Sequence, residues 1–189
     1  ELKSLTRARD SLISARSKYL VQITNALDIV FPEYKPFFND KLGKTALFIL
    51  FKHNSKHKIS RITKEQFEKI YNLSMGKFKY PKLLNLKELA KNSIGVESEA
   101  HFSLIKVYIN LIDSLNQSLK TIESKIEEIM KMIDTKLTTI PGVSLISAAT
   151  ILAEIEDISK FSNPRKLIAF AGFDVAIYQS GEKGYFGKL

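Results

Sequence analysis

The architecture follows from residues 105–133, IKVYINLIDSLNQSLKTIESKIEEIMKMI. Apolar side chains recur in this stretch at alternating intervals of three and four residues, at Ile105, Tyr108, Ile112, Leu115, Leu119, Ile122, Ile126, Ile129 and Ile133. This spacing is a heptad seam along one face of an α-helix. Because neither Gly nor Pro occurs between Val96 and Ile140, the pattern predicts one helix of about 40 residues, about 60 Å long.

A helix of that length needs a partner to cover its apolar stripe. Residues 2–30 supply one, since they form a second amphipathic pattern with apolar positions at Leu2, Leu5, Leu12, Tyr19, Ile23, Ala26 and Val30. Phe31-Pro32 ends this helix because proline disfavours the helical conformation of the residue before it. We expect the two helices to form an antiparallel hairpin and also to associate with a second copy of the chain. The alternative is a helical bundle within one chain only.

Composition excludes several classes of protein. The chain has 189 residues, of which 44% are hydrophobic and 26% charged, and it has no cysteine. A cysteine-free chain has no disulfide, no thiolate nucleophile and no cysteine-bound zinc. Its apolar runs are short compared with the roughly 20 residues that span a bilayer, and its first residues do not form a secretory signal. We expect a cytoplasmic protein with no membrane partner.

The positive charge is concentrated in the middle of the chain. The net charge is +9, and residues 41–93 hold thirteen basic side chains against three acidic ones, a difference of +10. A field of this sign attracts polyanions, and nucleic acid is the commonest polyanion in a cell. The alternative is a lysine-rich surface that is merely solvated. The basic residues are Lys41, Lys44, Lys52, Lys56, Lys58, Arg61, Lys64, Lys69, Lys77, Lys79, Lys82, Lys87 and Lys91.

Two helices are predicted inside this basic segment from their N-terminal signals. Thr63 and Gln66 have the spacing of a capping box, which predicts a helix that runs to about Leu73. Pro81 suits the first turn of a further helix, which is expected to end near Lys91.

The chain divides into four regions, and the second of them carries two histidines. Residues 45–51 form an apolar stretch, and residues 54–58 are predicted to be a polar loop. His53 and His57 are four residues apart in this lysine-rich loop, with no carboxylate beside them, so we expect no zinc site there. The regions are a first helix with its connector at 1–40, a basic helical insertion at 41–93, the long heptad helix at 94–137 and a C-terminal domain at 138–189.

The C-terminal region begins with a tight turn at residues 140–143, Ile-Pro-Gly-Val. Ser144 then starts a helix rich in small residues. A long helix, a Pro-Gly turn and a second helix resemble a helix-hairpin-helix unit, in which Gly142 and the free backbone N–H groups at Ser144 contact a phosphate. The same turn also caps many helices that bind nothing, so this alternative stays open.

Other polar residues near the C-terminus are weaker candidates. Arg165 and Lys166 lie in the first turn of a predicted helix, where they either contact phosphate or remain solvated. Glu154, Glu156 and Asp157 are close in sequence, but the two glutamates are two residues apart on a helix and do not face each other. We therefore expect surface groups there, and no metal site in this chain.

Five landmarks in fixed order carry a resemblance to a known family. They are Ile140-Pro141-Gly142, Ala153-Glu154-Ile155, Phe161 followed by Lys166-Leu167, Ala171-Gly172, and Gln179-Ser180-Gly181. Over about 50 residues the chain resembles the C-terminal domain of a family of bacterial insertion-sequence transposases, the bridge-RNA-guided recombinases. The resemblance extends more loosely through the heptad seam and the first helix.

The resemblance implies a chemistry for the whole enzyme. Members of the family carry an N-terminal RuvC-like domain with four acidic residues that bind Mg²⁺, a coiled coil, and a C-terminal domain with a catalytic serine. Carried over by motif, that nucleophile is Ser180. The implied partners are DNA, a structured guide RNA, and further copies of the chain in a dimer or tetramer.

The residues around Ser180 suit a phosphate but include no general base. Gly181 permits close backbone approach, and Lys183 and Lys188 supply positive charge. The alternative for Ser180-Gly181 is a plain turn between two strands.

The expected fold is mainly α: a long coiled-coil or helical hairpin, the basic insertion, then a helix-hairpin-helix-like domain that ends in a partial β-hairpin over residues 175–187. Compared with the family, we expect this chain to be a fragment that lacks the RuvC-like domain and the extreme C-terminus, and to be inactive alone. The expected function is part of a DNA transposase. The alternatives are a non-catalytic remnant that binds nucleic acid and dimerises, and a structural coiled-coil protein.

Overall fold

The chain is mainly α-helical, as predicted. A computed structural model describes residues 1–39, 41–172, 177–180 and 183–186. Short 3-10 turns lie at Leu137–Thr139 and Ile158–Lys160. The longer elements are α1 Leu2–Val30, α2 Tyr34–Phe37, α3 Lys44–Lys52, α4 Lys56–Ser60, α5 Lys64–Leu73, α6 Tyr80–Asn92, α7 Glu99–Lys131, α8 Leu145–Ile155, α9 Pro164–Phe170, β1 Ile177–Ser180 and β2 Lys183–Phe186.

Helices α1 and α7 form an antiparallel hairpin. Near the start of α1, Arg9 Nε donates to Glu123 Oε1 at 2.7 Å, late in α7. Farther along α1, the ring of Tyr19 stacks on Tyr108 with centroids 5.8 Å apart, early in α7. The opposite order of these contacts fixes the antiparallel direction, which confirms the predicted pairing within one chain.

Helix α7 is shorter than predicted, at 33 residues rather than about 40. Polar side chains set both ends. The Ser98 hydroxyl accepts from the His101 N–H at the N-cap. Beyond the C-terminus, the Thr135 hydroxyl accepts from the Leu137 N–H at 3.2 Å. Such local side-chain bonds offer the backbone an alternative to further helix.

The heptad seam is covered unevenly. Alternate members, Ile105, Ile112, Leu119 and Ile126, are only 0–5% exposed. The members between them, Tyr108, Leu115, Ile122 and Ile129, are half-buried. Helix α1 therefore covers one edge of the stripe and leaves its other edge partly open.

Two apolar cores lie along the hairpin. The larger core joins the second half of α1 and the first half of α7 to α2 of the connector and to the insertion, helices α3 to α6; Phe31, Tyr34 and Leu50 are fully buried in it. The smaller core joins the other end of the hairpin to α8, around Ile126 and Ala148. Among the described residues, no helix is both long and apolar enough to cross a membrane.

Within the insertion, the two predicted helices are confirmed and the predicted loop is wrong. The capping box of Thr63 and Gln66 is formed, and α6 has proline in its first turn. Residues 54–58 are not a loop, because Ser55 accepts from the Lys58 N–H at 3.1 Å and starts α4. His53 ends α3 and is buried, and this desolvation, with the charges of Lys58 and Lys52, lowers its pKa.

Residues 93–97 cross the C-terminus of α1 and fasten the insertion to the hairpin. The Val96 N–H donates to Ile29 O at 2.9 Å. The ammonium of Lys56, a buried side chain, donates to the Gly95 carbonyl. We call residues 93–97 the crossing segment. A Cβ on Gly95 would overlap the backbone of Val30 and Phe31, so this position requires glycine.

Glu33 holds the same segment from the other side. Its carboxylate accepts from Ser93 Oγ at 2.7 Å and from the Ile94 N–H at 3.0 Å. Partial burial raises the pKa of Glu33, but these two hydrogen bonds outweigh it and the pKa is lowered. The crossing segment is thus bonded at Ser93, Ile94, Gly95 and Val96.

Gly95→Ser should destabilise the fold because the new side chain must displace the backbone of Val30. We expect a loss of about 1–3 kcal/mol in the free energy of unfolding, the usual cost of overpacking, measured by urea denaturation followed by circular dichroism. Gly43→Ser is the matched control, since a Cβ at Gly43 meets nothing within 4 Å and serine suits that N-cap. Equal stability of the two variants would contradict the role of the crossing segment.

Candidate functional site

The turn before α8 has the geometry that requires glycine. Gly142 has φ 88°, in the left-handed region, and the Val143 N–H donates to Ile140 O at 3.0 Å. A Cβ at Gly142 would meet nothing within 4 Å, so the turn faces open space. The Ser144 hydroxyl accepts from the Ser147 N–H at 3.1 Å, which makes Ser144 the N-cap of α8. The Ser147 N–H, one of the backbone groups at the start of α8 that could meet a phosphate, is therefore already bonded to a side chain.

Helix α8 packs closely on the end of the hairpin through small residues. Ala148 and Ala149 are fully buried and pack with Ile126 and Met130 of α7. Alanine at these positions lets the helix backbones approach. The turn at Gly142 is thus held on a rigid support rather than on a free loop.

The carboxylates at the end of α8 are paired with cations from the start of α1. Arg7 donates two hydrogen bonds of 2.9 Å to the carboxylate of Glu154. Glu156 accepts from Lys3 at 2.8 Å and from Lys160 at 3.1 Å. Hydrogen bonds from Lys3 and then Lys160 lower the pKa of Glu156 to about 2.

These carboxylates are not arranged as metal ligands. Asp157, the third of the group, accepts from the Ser159 N–H at 2.9 Å and the Ser159 hydroxyl at 2.7 Å. Over the described ranges, no cluster of three or more His, Cys, Asp or Glu residues is placed to hold a metal ion. No local pattern indicated Lys3 or Arg7 as partners, because each lies about 150 residues along the chain from the carboxylate it contacts.

Arg165 and Lys166 lie in the first turn of α9, close to where they were predicted. Asn163 caps this helix, its side-chain oxygen accepting from the Lys166 N–H at 3.1 Å. Both basic side chains are exposed. They are available to a partner in solution, although α9 is only seven residues long.

The backbone of Ser180 lies in an antiparallel strand pair. Strand β1 pairs with β2 so that Ser180 is opposite Lys183 and Gln179 is opposite Gly184. The pairing brings the backbones of the predicted nucleophile and of one predicted phosphate-binding lysine together. Two other predicted residues, Gly181 and Lys188, lie outside the described residues.

A cleft of about 790 Å³ separates the hairpin from α3. Ile13, Phe48 and Phe51 line it, while Arg9 and Arg16 at its edge are held by Glu123 and Asn116. Four basic side chains and two acidic ones line this cleft, so its net charge is positive; the basic residues are Arg9, Arg16, Lys44 and Lys120, and the acidic ones are Asp113 and Glu123.

Three of the thirteen basic residues of the insertion are used by the fold itself. Lys56 is buried against the crossing segment, Lys87 donates to Ile62 O at 3.2 Å, and the Lys82 ammonium lies 5.2–5.9 Å from three aromatic ring centroids. The rings belong to Phe37, Phe38 and Phe78. The other ten basic side chains are exposed, which leaves a strongly positive surface.

Comparison with known proteins adds one finding. Residues 134–189 match the family described as Transposase IS116/IS110/IS902 family. This match supports the prediction that the chain is part of an insertion-sequence transposase. It includes Gly142, Ser144 and Ser180 and covers less than a third of the chain. No curated protein and no solved structure matches the chain.

Lys3→Ala should raise the pKa of Glu156 from about 2 toward the ordinary glutamate value of about 4.3. Because the folded-state pKa lies below the unfolded value, the stabilisation by this pair is present above about pH 4 and is lost as the pH falls toward 2. An NMR pH titration of the Glu156 carboxyl carbon measures the shift. Lys18→Ala, an exposed lysine elsewhere on α1, is the control and should leave the titration unchanged. An unaltered pKa in Lys3→Ala would rule out the pairing in solution.

Proposed function

We propose that this chain supplies the serine-bearing part of an insertion-sequence DNA transposase, and that Ser180 is its nucleophile. The observation that carries the proposal is the family match over residues 134–189, which contains the Gln179-Ser180-Gly181 landmark. The backbone pairing of Ser180 with Lys183 supports it, since it brings the proposed nucleophile next to a residue of the cationic type that binds phosphate.

The proposed step exchanges one phosphate ester for another. The Ser180 oxygen bonds to phosphorus while the bond from phosphorus to a sugar oxygen of the DNA breaks. The serine proton passes to a base, and the departing sugar oxygen takes up a proton. The phosphoserine ester retains the free energy of the broken phosphodiester bond. A hydroxyl of a second DNA strand can therefore attack the phosphorus, release Ser180 and join the strands.

Mg²⁺ does not fit the described part of this chain. Glu154, Glu156 and Asp157 are engaged with cations and an N-cap, and no other acidic cluster is present there. We therefore assign the Mg²⁺ of the proposed enzyme to the carboxylates of a RuvC-like domain. A structured guide RNA is the proposed second nucleic acid, and the proposed DNA contacts are Gly142, Ser144, Arg165, Lys166, Gly181, Lys183 and Lys188.

The proposed enzyme is a homo-oligomer that associates through α7. Leu104, Val107 and Leu111 are 38–51% exposed and lie on the side of α7 next to the half-buried seam residues. Large apolar side chains in a row on an exposed helix face are typical of an interface. A second copy of this hairpin offers a stripe of the same kind, which gives a self-complementary contact.

Ser180→Ala should abolish a covalent protein–DNA adduct. The complete reading frame is mixed with guide RNA, Mg²⁺ and labelled donor DNA, and the adduct is sought on a denaturing gel. Ser162→Ala, a nearby exposed serine, is the control and should retain the adduct. An adduct that survives in Ser180→Ala would show that another residue is the nucleophile. If DNA is bound but no adduct forms with the wild-type protein, the non-catalytic remnant is the better description.

Leu111→Lys should reduce the mass of the assembly in light scattering while keeping the fold, because Leu111 is 38% exposed. Seam positions such as Leu119 and Ile126 are unsuitable for this test, since they are buried within the chain and a charge there would unfold it. Ser124→Lys adds the same charge at an exposed position of α7 away from this stripe and should leave the mass unchanged. A monomeric wild-type chain, or an unchanged mass in Leu111→Lys, would refute association through this stripe.

A further inference from the structure

The insertion carries an exposed aromatic surface where α5 ends and α6 begins. Tyr71 and Tyr80 are 41% and 48% exposed. Both rings pack against the buried Phe67, with centroid distances of 5.9 and 5.3 Å. Met75, in the connection between the helices, is 87% exposed. We call Tyr71, Met75 and Tyr80 the tyrosine patch.

The connection that carries Met75 is firmly held. The Ser74 hydroxyl donates to Tyr71 O at 2.8 Å and accepts from the Phe78 N–H at 2.9 Å. Met75 and Gly76 both have positive φ, 52° and 75°. A positive φ is uncommon for methionine. The fold therefore directs a large apolar side chain into solvent at a local conformational cost.

The charge around the tyrosine patch is positive. Lys77 lies in the same connection, Lys79 caps α6, and Lys64 lies two turns before Tyr71 on the same face of α5. All three lysines are exposed, and within the described ranges none of them forms an ion pair. Glu68 is the acidic side chain on this face of α5. The balance still favours an anionic partner.

We propose that the tyrosine patch binds an unpaired loop of RNA, with bases stacked on Tyr71 and Tyr80 and phosphates held by Lys64, Lys77 and Lys79. The proposal rests on the proposed nucleic-acid function and names the surface that serves it. Stacking on an exposed ring requires a base whose face is free, and duplex DNA hides its base faces whereas RNA loops present them. The surrounding lysines favour a nucleic acid over a protein with an apolar surface.

The test uses the 189-residue chain and three labelled probes in fluorescence anisotropy. The probes are an oligouridine RNA of about 10 nucleotides, a single-stranded DNA of the same length, and a blunt RNA duplex. We expect the single-stranded RNA to bind most tightly. Tyr71→Leu and Tyr80→Leu should each weaken this binding about 5- to 100-fold, whereas Tyr71→Phe and Tyr80→Phe, which keep a ring, should bind like the wild type.

A second arm tests the lysines without touching the packing around Phe67. Lys77→Gln should lower the slope of log affinity against log salt by about 0.7, the value for one phosphate contact on a single strand. Glu68→Gln removes the acidic group of this face and should strengthen binding. Circular dichroism of each variant checks that the helices are intact.

Three results would overturn the proposal. Equal RNA affinity of the leucine and phenylalanine variants would show that no base stacks on these rings. Single-stranded DNA that binds as tightly as RNA would make the assignment to RNA wrong. No binding to any probe at low salt would show that the tyrosine patch is not a nucleic-acid-binding surface. The proposed serine chemistry is decided separately by the adduct of Ser180, so the two proposals fail independently.

Discussion

The apolar stripe of α7 must be buried, and the packing of the other helices depends on this constraint. A single amphipathic helix of 33 residues cannot hide such a stripe, and α1 covers only one edge of it. The insertion then buries the first half of the stripe, around Ile109, and α8 buries the end, around Ile126. Helices α3 and α8 are thus positioned by parts of α7 that α1 leaves open, and α5 packs in turn on α3.

Basic side chains serve two different purposes in this molecule. Lys56, Lys82 and Lys87 are turned inward onto a carbonyl, aromatic rings and another carbonyl, where each loses much of its water. Lysine tolerates this because its long apolar stem can be buried while the charged end reaches a partner. The remaining basic residues of the insertion keep their hydration and form the field that a polyanion meets first. Counting charges along the chain overstates that field slightly but gives its sign and location correctly.

Signals that act within one turn of helix were predictable from the sequence, and contacts between distant segments were not. Phe31-Pro32, the Thr63–Gln66 box and Pro81 each act through neighbouring backbone, so the ends of α1, α5 and α6 followed directly. Helix α4 was not predicted, although Ser55 is a good N-cap. Lys56 of this helix is buried because its ammonium donates to the Gly95 carbonyl, which is distant in sequence. The pairing of Arg7 with Glu154 joins opposite ends of the chain. At the candidate site, residue chemistry indicated phosphate contacts, while the role of Ser180 came from resemblance alone.

The crossing segment gives the hairpin a property of its own. The chain leaves α1 at Val30 and returns beside it, with the Val96 N–H only 2.9 Å from Ile29 O. Everything from residue 31 to residue 95 therefore departs from and rejoins the hairpin at almost one point. A segment attached in this way is an appendage in the evolutionary sense: its length can change without altering the register of the two long helices. Any replacement segment must retain apolar side chains that cover Ile23, Leu27 and Ile105.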